Sequence, residues 1–266
     1  MQASNTLLRA FSENRQSFGI WQMIPDANVS RLLARSGCEW IMIDCEHGYI
    51  SDTGMHHTVP AVAAAGASPI VRLPDMQPWM IKRALDAGAH GILVPQLRTV
   101  EEARQVVKCA KFPPRGTRGY GSPIPLDRFT PVPTLTEYLQ QANDALLTMV
   151  HIETQEALDA VDEIAAVDGI DVVFIGISDL ANNIGHPIID GAVSEELKVA
   201  IAKILEAGHR AGKKVGIYCS TGEQGKAAAD QGFDMISMSS DYTLLHGIVS
   251  QEISIASGRL PHRLRR

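Results

Sequence analysis

The segment Ile41-Met42-Ile43-Asp44-Cys45-Glu46-His47-Gly48 combines a buried strand with a polar strand end. Residues from Trp40 to Ile43 are apolar without alternation, which is typical of a strand that is covered on both faces. Asp44, Glu46 and His47 follow within four residues, where the strand opens into a loop. Three ionisable groups at the end of a buried strand indicate that these groups have a function.

The same pattern recurs along the chain, where short apolar runs alternate with segments of helical periodicity. Strands are predicted over residues 18–23, 39–44, 68–73, 91–95, 147–153, 172–176, 214–218 and 234–238. Helices are predicted over residues 29–36, 52–65, 78–87, 100–111, 155–166, 194–211, 222–231 and 241–257. Eight strand–helix units in roughly 250 residues predict a (β/α)8 TIM barrel, with residues 1–266 as a single domain. A doubly wound open sheet is the alternative, but no GxGxxG fingerprint follows the first strand.

Local signals support the helix boundaries. Asp52, Thr99 and Ser194 are predicted N-terminal caps. Glycines stand where left-handed C-terminal caps are expected, at Gly37, Gly66, Gly88, Gly212 and Gly232. The irregular part of the chain is residues 112–145, whose Pro-rich stretch is predicted to form a long loop over one mouth of the barrel.

Composition limits the class of protein. The hydrophobic fraction of 45% is ample for a large core, and the net charge of -6 argues against nucleic acid or an anionic membrane as the main partner. The basic cluster at 259–266 is predicted to be a tail or a subunit contact. The four cysteines lack metal-ligand spacing, which indicates reduced thiols. No signal-peptide pattern and no apolar run of about 18 residues is present, so the protein is expected to be soluble and cytoplasmic.

Polar residues collect at the ends of four predicted strands, where barrel enzymes place their active sites. Besides the opening segment, the third strand carries Arg72, the fifth ends in His151 and Glu153, and the sixth is followed by Asp179. Glu153 and Asp179 are candidate ligands of Mg²⁺ or Mn²⁺, because two carboxylates leave coordination positions for water and substrate oxygens. The alternative is that Glu153 caps a helix while Asp179 satisfies a turn.

Other residues near these strand ends have two interpretations each. Arg72 lies in an apolar strand and needs a partner, either Asp44 or Glu46 or a substrate carboxylate or oxyanion. His47 is a candidate general acid or base, or else a satisfied polar residue. The glycine-rich run 115–122 carries two cations and predicts an anion site or an active-site flap, although it lacks the ending of a P-loop.

Six motifs occur in a particular order along the chain, namely Ile43–His47, Val71–Leu73, Leu93–Pro95, Arg118–Ser122, His151–Thr154 and Phe174–Leu180. In this order and spacing they resemble the HpcH/HpaI aldolase family, the class II pyruvate aldolases. The most similar members act on 4-hydroxy-2-oxoheptanedioate or 2-dehydro-3-deoxyglucarate. The resemblance covers residues 18–245, which is nearly the whole chain.

The resemblance implies a (β/α)8 barrel that forms a homo-oligomer, a trimer or a hexamer, with a C-terminal helix packed against a neighbouring subunit. It implies a divalent cation, Mg²⁺, Mn²⁺ or Co²⁺, held by Glu153 and Asp179. Asp44 and Glu46 are expected in supporting positions, where they orient His47, Arg72 or water.

The resemblance also assigns roles in the reaction. His47 matches the catalytic base, Arg72 matches the arginine that stabilises an oxyanion and binds substrate, and Asp86 matches the aspartate that supports the histidine. His151 and Ser178 would line the substrate site, together with Asp179. The predicted function is metal-dependent cleavage of a 4-hydroxy-2-oxo acid to pyruvate and an aldehyde. Oxaloacetate decarboxylation, cleavage of an acyl-CoA ester, and a non-catalytic metal-binding barrel are the alternatives.

Three features depart from the family pattern. His151 replaces a glutamine, Cys45 replaces a glycine or threonine, and the loop 123–131 replaces a run of small residues. This loop is predicted to lie where the aldehyde end of a substrate binds. The acyl-CoA alternative requires cations near the barrel mouth, for which Arg115 and Arg118 are the candidates.

Overall fold

The computed structural model describes residues 1–258, so the predicted basic tail at 259–266 lies outside the described residues. Eight parallel strands close into a barrel in sequence order, with the last strand paired to the first. They are β1 (Ser17–Gln22), β2 (Trp40–Asp44), β3 (Ser68–Arg72), β4 (Gly91–Val94), β5 (Leu147–Ile152), β6 (Val172–Ile175), β7 (Lys214–Cys219) and β8 (Met235–Ser240). The predicted (β/α)8 barrel is confirmed.

Helices precede, separate and follow the strands along the chain. They are α1 (Thr6–Ser12), α2 (Ala27–Arg35), α3 (Asp52–Ala64), α4 (Pro78–Ala87), α5 (Val100–Ala110), α6 (Leu135–Ala145), α7 (Gln155–Asp159), α8 (Val161–Ala165), α9 (Ile177–Asn183), α10 (Glu195–Arg210), α11 (Gly222–Gln231) and α12 (Asp241–Ser257). Within residues 1–258, no helix is both long and apolar enough to cross a bilayer.

The predicted caps are confirmed in two of three cases. Thr99 forms a capping box with Glu102, and the side chain of Ser194 accepts a hydrogen bond from the first turn of α10. Asp52, in contrast, is the first residue of α3, and the hydroxyl of Ser51 caps that helix. The five predicted C-terminal glycines all have positive φ.

Strand alternation divides the core into two layers and orients the site. On β2, Ile41 and Ile43 pack in the layer between strands and helices, whereas Trp40 and Met42 fill the inside of the barrel. Because side chains alternate along a strand, Asp44 points to the inside as well. The last residue of β2 is therefore a carboxylate at the carboxyl end of the barrel.

The barrel interior holds aliphatic and methionine side chains together with the aromatic rings of Trp21, Trp40 and Phe174. Two glycines make room for them. A Cβ atom on Gly19 would lie 2.2 Å from the ring of Trp40, and one on Gly216 would lie 2.3 Å from the ring of Phe174. Above this layer, the ring of Trp21 packs edge-on against Phe174, with 5.6 Å between centroids. Trp21 and Phe174 form a solid floor beneath the carboxyl ends of the strands.

The long connection between α5 and α6 lies at the amino end of the barrel, opposite the predicted site. Because α5 runs back along β4, the chain after residue 110 emerges at this end. The connection is held there by a hydrogen bond from His90 Nε2 to the Arg128 carbonyl (2.9 Å) and by one from Ser4 Oγ to the Thr130 carbonyl (2.7 Å). Within one chain, the prediction that the loop 123–131 lies at the aldehyde end of the site is therefore wrong. The predicted irregular region also contains the regular helix α6.

Candidate active site

The carboxyl ends of the strands surround a cavity of about 280 Å³. Seven of the residues predicted from the sequence line it together, namely Asp44, His47, Arg72, His151, Glu153, Ser178 and Asp179. Glu46 contacts this group through Arg72, whereas Asp86 does not line the cavity. Residues that are up to 135 positions apart in sequence thus meet because the parallel strands all end at the same face.

Arg72 and Asp44 form a buried, two-point ion pair. They are register partners on β3 and β2, so their side chains meet directly. Arg72 Nε donates to Asp44 Oδ1 (3.0 Å) and Nη2 donates to Oδ2 (2.6 Å), while Nη1 lies 3.0 Å from Glu46 Oε2. Both sequence-based partners of Arg72 are therefore present. Two of its five N–H groups donate to Asp44, Nη1 is in ion-pair contact with Glu46, and the other N–H groups have no partner within residues 1–258.

The charge of Arg72 has different effects on the pKa values of the two carboxylates. Burial opposes ionisation of Asp44, but the hydrogen bonds and charge of Arg72 outweigh burial and lower its pKa. Burial raises the pKa of Glu46, and the charge of Arg72 offsets that effect only in part. Asp44 is therefore a fixed anion, whereas Glu46 is the carboxylate that more readily accepts a proton.

His47 projects from the loop after β2 and its side chain is largely accessible. Its side chain is 60% exposed, and its Nε2 lies 3.9 Å from Glu46 Oε1. The backbone N–H groups of Glu46 and His47 both donate to Asp44 Oδ1 at 3.1 Å. Asp44 thus fixes the turn that carries the imidazole, and Glu46 is its carboxylate neighbour.

Glu153, directly after β5, is buried and fixed on both carboxylate oxygens. Oε1 accepts from the backbone N–H of Gln96 (2.6 Å) and from its side-chain amide (3.3 Å), and Oε2 lies 3.0 Å from His151 Nδ1. Burial would raise the pKa of Glu153, but His151 and the Gln96 N–H outweigh burial and lower it to about 2. Glu153 is therefore an anion throughout the neutral range.

Gln96 is a site residue that sequence reasoning missed. It follows β4 with a φ of +58°, which is uncommon for a residue other than glycine, and this conformation directs its N–H at Glu153. The next residue is pinned as well, because Thr154 Oγ1 donates to the Leu97 carbonyl (2.8 Å). The only sequence signal was its place directly after the motif Leu93–Pro95.

The side chains of this cavity can supply only part of the coordination shell of a hard divalent cation, and water or substrate oxygens must supply the rest. Residues 1–258 contain no cluster of three or more histidine, cysteine or carboxylate side chains arranged to hold a metal. Two carboxylates, Glu153 and Asp179, line the same cavity, and Asp179 is half-buried in the first turn of α9. Gly176 keeps the space beside Glu153 open, since a Cβ there would lie 2.3 Å from Oε2. This donor set suits Mg²⁺ or Mn²⁺, which retain waters and bind substrate oxygens.

Asp86 lies at the opposite end of the barrel from the cavity. It is in the last turn of α4, at the amino end of the barrel, where it accepts a hydrogen bond from Arg118 Nη2 (2.9 Å). Arg118 is buried against the ring of Phe112, with 4.5 Å between its Cζ and the ring centroid. Arg115 at the same end pairs with Asp144. Within one chain, Asp86 does not meet His47, and neither arginine is near the mouth as the acyl-CoA alternative requires.

Comparison with known proteins agrees with this geometry. Residues 17–246 match the model of the HpcH/HpaI aldolase/citrate lyase family. The chain belongs to this family. Within the family, the chain is 35% identical over 253 residues to the hydroxypyruvate/pyruvate aldolase of Rhizorhabdus wittichii, covering 95% of this chain and 98% of that protein.

Two further relatives place this family member among lyases. The 4-hydroxy-2-oxo-heptane-1,7-dioate aldolase of Klebsiella pneumoniae is 35% identical over 243 residues, covering 91% of this chain and 90% of the relative. A crystal structure of an HpcH/HpaI aldolase/citrate lyase family protein from Burkholderia cenocepacia superimposes with a TM-score of 0.86 at 29% identity, covering 97% of this chain and 100% of the other. The chain is thus a lyase of the aldolase type.

Proposed function

We propose that this protein is a divalent-metal-dependent aldolase that cleaves a 4-hydroxy-2-oxo acid to pyruvate and an aldehyde. The observation that supports it is the placement of Glu153, Asp179, Arg72 and His47 around one cavity. Two carboxylates without a complete metal cage, an arginine with free N–H groups and an accessible imidazole are what this cleavage needs. A binding protein has no need of the base.

Glu153 and Asp179 would hold the cation, which is Mg²⁺, Mn²⁺ or Co²⁺. When bound, it supplies positive charge for the carboxylate and keto oxygens of the 2-oxo acid. The backbone of Ser178 and the imidazole of His151 line the same region and would position the substrate carboxylate. His151 has no hydrogen-bond partner for Nε2 within residues 1–258, so this nitrogen is available to substrate.

The proton chemistry falls to His47. It takes the proton of the 4-hydroxyl group, the C3–C4 bond breaks, and the aldehyde leaves. The bonding electrons remain on the pyruvate fragment as an enolate, whose oxygen charge the N–H groups of Arg72 that do not donate to Asp44 stabilise. Glu46 Oε1, 3.9 Å from His47 Nε2, stabilises the protonated imidazole. Transfer of a proton from the protonated His47 to C3 then yields pyruvate and restores the neutral imidazole.

The proposed enzyme is a homo-oligomer, a trimer or a hexamer. Helix α12 has 17 residues, of which only Asp241 and Ser254 are buried, while Leu244, Leu245 and Ile253 are each about half exposed or more. A face of this kind is typical of a subunit interface. For Asp86 to support His47, as the family resemblance implies, it must come from a second copy.

A cytoplasmic location is part of the proposal. All four cysteines, Cys38, Cys45, Cys109 and Cys219, are free thiols. A reducing compartment maintains cysteines in this state.

The experiment combines a metal panel with a substrate panel. Purified protein is stripped with EDTA and supplied with Mg²⁺, Mn²⁺ or Co²⁺, then assayed for pyruvate release from several 4-hydroxy-2-oxo acids and from oxaloacetate. Metal-dependent pyruvate release from the hydroxy acids is the expected result. Release from oxaloacetate alone would favour a decarboxylase, and no metal-dependent release at all would overturn the proposal. Light scattering of the same sample tests the oligomer.

A further inference from the structure

The turn that carries His47 rests on the segment directly after β1. Tyr49, at the end of this turn, donates its backbone N–H to the Met23 carbonyl (3.0 Å). Gly48 lies against the same residue, because a Cβ atom on Gly48 would be 3.2 Å from Met23 Cα. Asp44 fixes one side of the turn through the hydrogen bonds described above, and Met23 supports the other side. The position of His47 therefore depends on where Met23 is held.

Met23 and Ile24 are held in turn by Asp241. Strand β1 ends at Gln22, so the next two backbone N–H groups lie beyond the strand ladder. The Asp241 carboxylate accepts both of them, since Oδ1 accepts from Met23 N (2.9 Å) and Oδ2 accepts from Ile24 N (3.1 Å). Two hydrogen bonds on separate oxygens fix both the position and the orientation of this segment. Asp241 is 6% exposed in a single chain, so these contacts do not require a second copy.

A bulge in β8 turns Asp241 toward this segment. The register of β8 against β1 shifts between Gly19 and Trp21, where β8 contains one extra residue. Ser239 lies in this bulge with a φ of +63°, which is uncommon for a residue other than glycine. In a regular strand Asp241 would share the inward direction of Met235, but after the extra residue it reaches the backbone beyond β1 instead. Residues in such sparsely populated conformations cluster at functional sites.

Capping of helix α12 does not account for this arrangement. The N-terminal cap of α12 is Ser240, whose hydroxyl accepts from the Thr243 N–H (3.2 Å). Asp241 also accepts from the Tyr242 N–H (2.7 Å), but its other two hydrogen bonds leave the helix and cross to the chain after β1. Ser240 and Thr243 line the cavity, whereas Asp241 does not. The carboxylate therefore acts on the loop after β1 and not on a ligand.

We infer that Asp241 is a positioning residue for His47. It fixes Met23 and Ile24, and Met23 supports the turn that presents the imidazole to the cavity. This inference rests on the proposed function, in which His47 is the base, and extends it to a residue at the start of the last helix. Because Asp241 does not line the cavity, its substitution should impair proton transfer and leave binding of the cation and the 2-oxo acid intact.

The test measures kcat for cleavage separately from ligand binding. Asp241→Asn retains the size of the side chain but has a single acceptor oxygen, so at least one backbone N–H group loses its partner. With the cation and the 4-hydroxy-2-oxo acid that support activity, kcat is expected to fall by roughly ten- to 100-fold, because misplacing a reacting group by about 1 Å has effects of this order. Affinity for Mn²⁺, and for oxalate as an analogue of the pyruvate enolate, should be unchanged.

Asp234→Asn is the matched control. Asp234 stands directly before β8 as Asp241 stands directly after it, and its carboxylate also accepts a backbone N–H, from Val215 (3.0 Å), but at the amino end of the barrel. This variant should retain kcat. A loss of kcat in Asp234→Asn as large as in Asp241→Asn would overturn the inference, and so would an unchanged kcat in Asp241→Asn.

A double-mutant cycle assigns the effect to His47. Asp241→Asn is introduced into His47→Ala, and the residual kcat of this double variant is compared with that of His47→Ala alone. If Asp241 acts through His47, the second substitution should have no further effect. Losses that multiply would show that Asp241 acts independently of the imidazole, and would overturn the inference.

Hydrogen exchange followed by mass spectrometry tests the same contacts without catalysis. In Asp241→Asn, a peptide that contains residues 45–50 should exchange faster, and a peptide that contains residues 214–219 should not. Unchanged exchange over residues 45–50 would overturn the inference. If Asp241→Asn does not fold, Asp241→Glu replaces it in every measurement with the same expected results, because it keeps both acceptor oxygens but displaces them by one methylene group.

Failure of the inference and failure of the proposed function give different results. A fully active His47→Ala enzyme would show that His47 is not the base, and would overturn the proposed function. An impaired His47→Ala enzyme combined with a fully active Asp241→Asn enzyme would overturn only the inference.

Discussion

Two buried histidines, one at each end of the barrel, have opposite surroundings. His90 at the amino end is 1% exposed, and both ring nitrogens have partners: Nδ1 lies 3.2 Å from Ser68 Oγ, and Nε2 donates to the Arg128 carbonyl. Its ring also stacks on Phe129 with 4.6 Å between centroids. His151 at the carboxyl end is 3% exposed, but its Nε2 has no partner within residues 1–258.

The comparison separates a buried histidine whose ring nitrogens are hydrogen-bonded by the protein from one with a ring nitrogen left for a ligand. Burial alone does not distinguish the two histidines, since both are almost inaccessible. The distinction is whether the protein itself satisfies the ring. A buried polar atom without a partner costs stability, so its persistence at the mouth of a cavity indicates that a ligand completes it. At His90 the protein has completed the hydrogen bonds already.

The largest expected effect is at the carboxylate beside His151. Glu153→Gln retains the shape of the side chain but removes the charge, so pyruvate release should fall by about 1,000-fold and Mn²⁺ binding should be lost. Thermal stability should change little. The assay is pyruvate release together with a Mn²⁺ titration.

The matched control for this change is Glu156→Gln, because Glu156 is 55% exposed and pairs only at the surface, with Arg98. It should retain activity and metal binding. An active Glu153→Gln enzyme would show that the metal assignment is wrong.

The next effect compares the two histidines directly. His151→Phe keeps a ring of similar volume and removes the nitrogens, so kcat/KM should fall by roughly 100-fold, in the range of lost electrostatic contacts to a substrate. Stability should fall less than for His90→Phe, because His151→Phe removes the Nδ1 contact with Glu153 but also an Nε2 that has no partner within residues 1–258. Steady-state kinetics and thermal melting measure both. A stability loss as large as that of His90→Phe would show that the protein depends equally on the hydrogen bonds of both histidines.

A smaller effect is expected at Gln96. Gln96→Ala removes the side-chain amide that donates to Glu153 Oε1 but leaves the backbone N–H in place. Removing a hydrogen bond to a metal-binding side chain lowers metal affinity by about ten- to 100-fold, and the lower value is expected here. Isothermal titration with Mn²⁺ measures it. Gln105→Ala, on the exposed side of α5, is the control, and an identical affinity in both variants would remove Gln96 from the site.

The smallest effect on activity is expected at His90, where the change concerns stability and pH. Burial lowers the pKa of His90 to about 4 in the folded protein, from 6.5 when it is unperturbed. Between these values the unfolded chain binds more protons, so stability falls as the pH falls. The cost from pH 7.5 to pH 5 is about 2 kcal/mol.

The variant His90→Gln isolates this contribution. It should be less stable at pH 7.5 because buried contacts are lost, but its stability should vary less between pH 7.5 and pH 5 than that of the wild type. Activity at pH 7.5 per folded molecule should be retained. Denaturant titration at both pH values is the measurement, and an unchanged pH dependence would show that His90 titrates normally.

The sequence predicted the barrel because each strand and helix has a local signal. The apolar runs, the cap at Thr99 and the glycines after the helices are sufficient to count eight units. Helix α6 was missed because the proline-rich stretch before it suggested an irregular region, although Thr134 and Glu137 form a capping box at its start. The Thr–x–x–Glu pattern was a usable signal.

The candidate site was predictable where its residues end strands, and unpredictable where it depends on contacts across the barrel. Asp44, Arg72 and Glu153 follow from their positions at strand ends. Gln96 does not, because its positive φ has no signature in a residue other than glycine and depends on contact with Glu153. The location of Asp86 was also hidden, since the strand-end argument does not apply to a residue at the end of a helix.

The aromatic floor formed by Trp21 and Phe174 has a consequence for substrate length. Because Gly216 has no side chain, the Phe174 ring occupies the space next to it and packs with Trp21 beneath the cavity. Every substrate must therefore stop at the same depth, with its 2-oxo acid end at a constant height above the floor. Additional carbons extend only outward, toward solvent. New substrate specificities in this fold would then arise from changes in the residues around the outer opening of the cavity, while the reacting atoms keep their position.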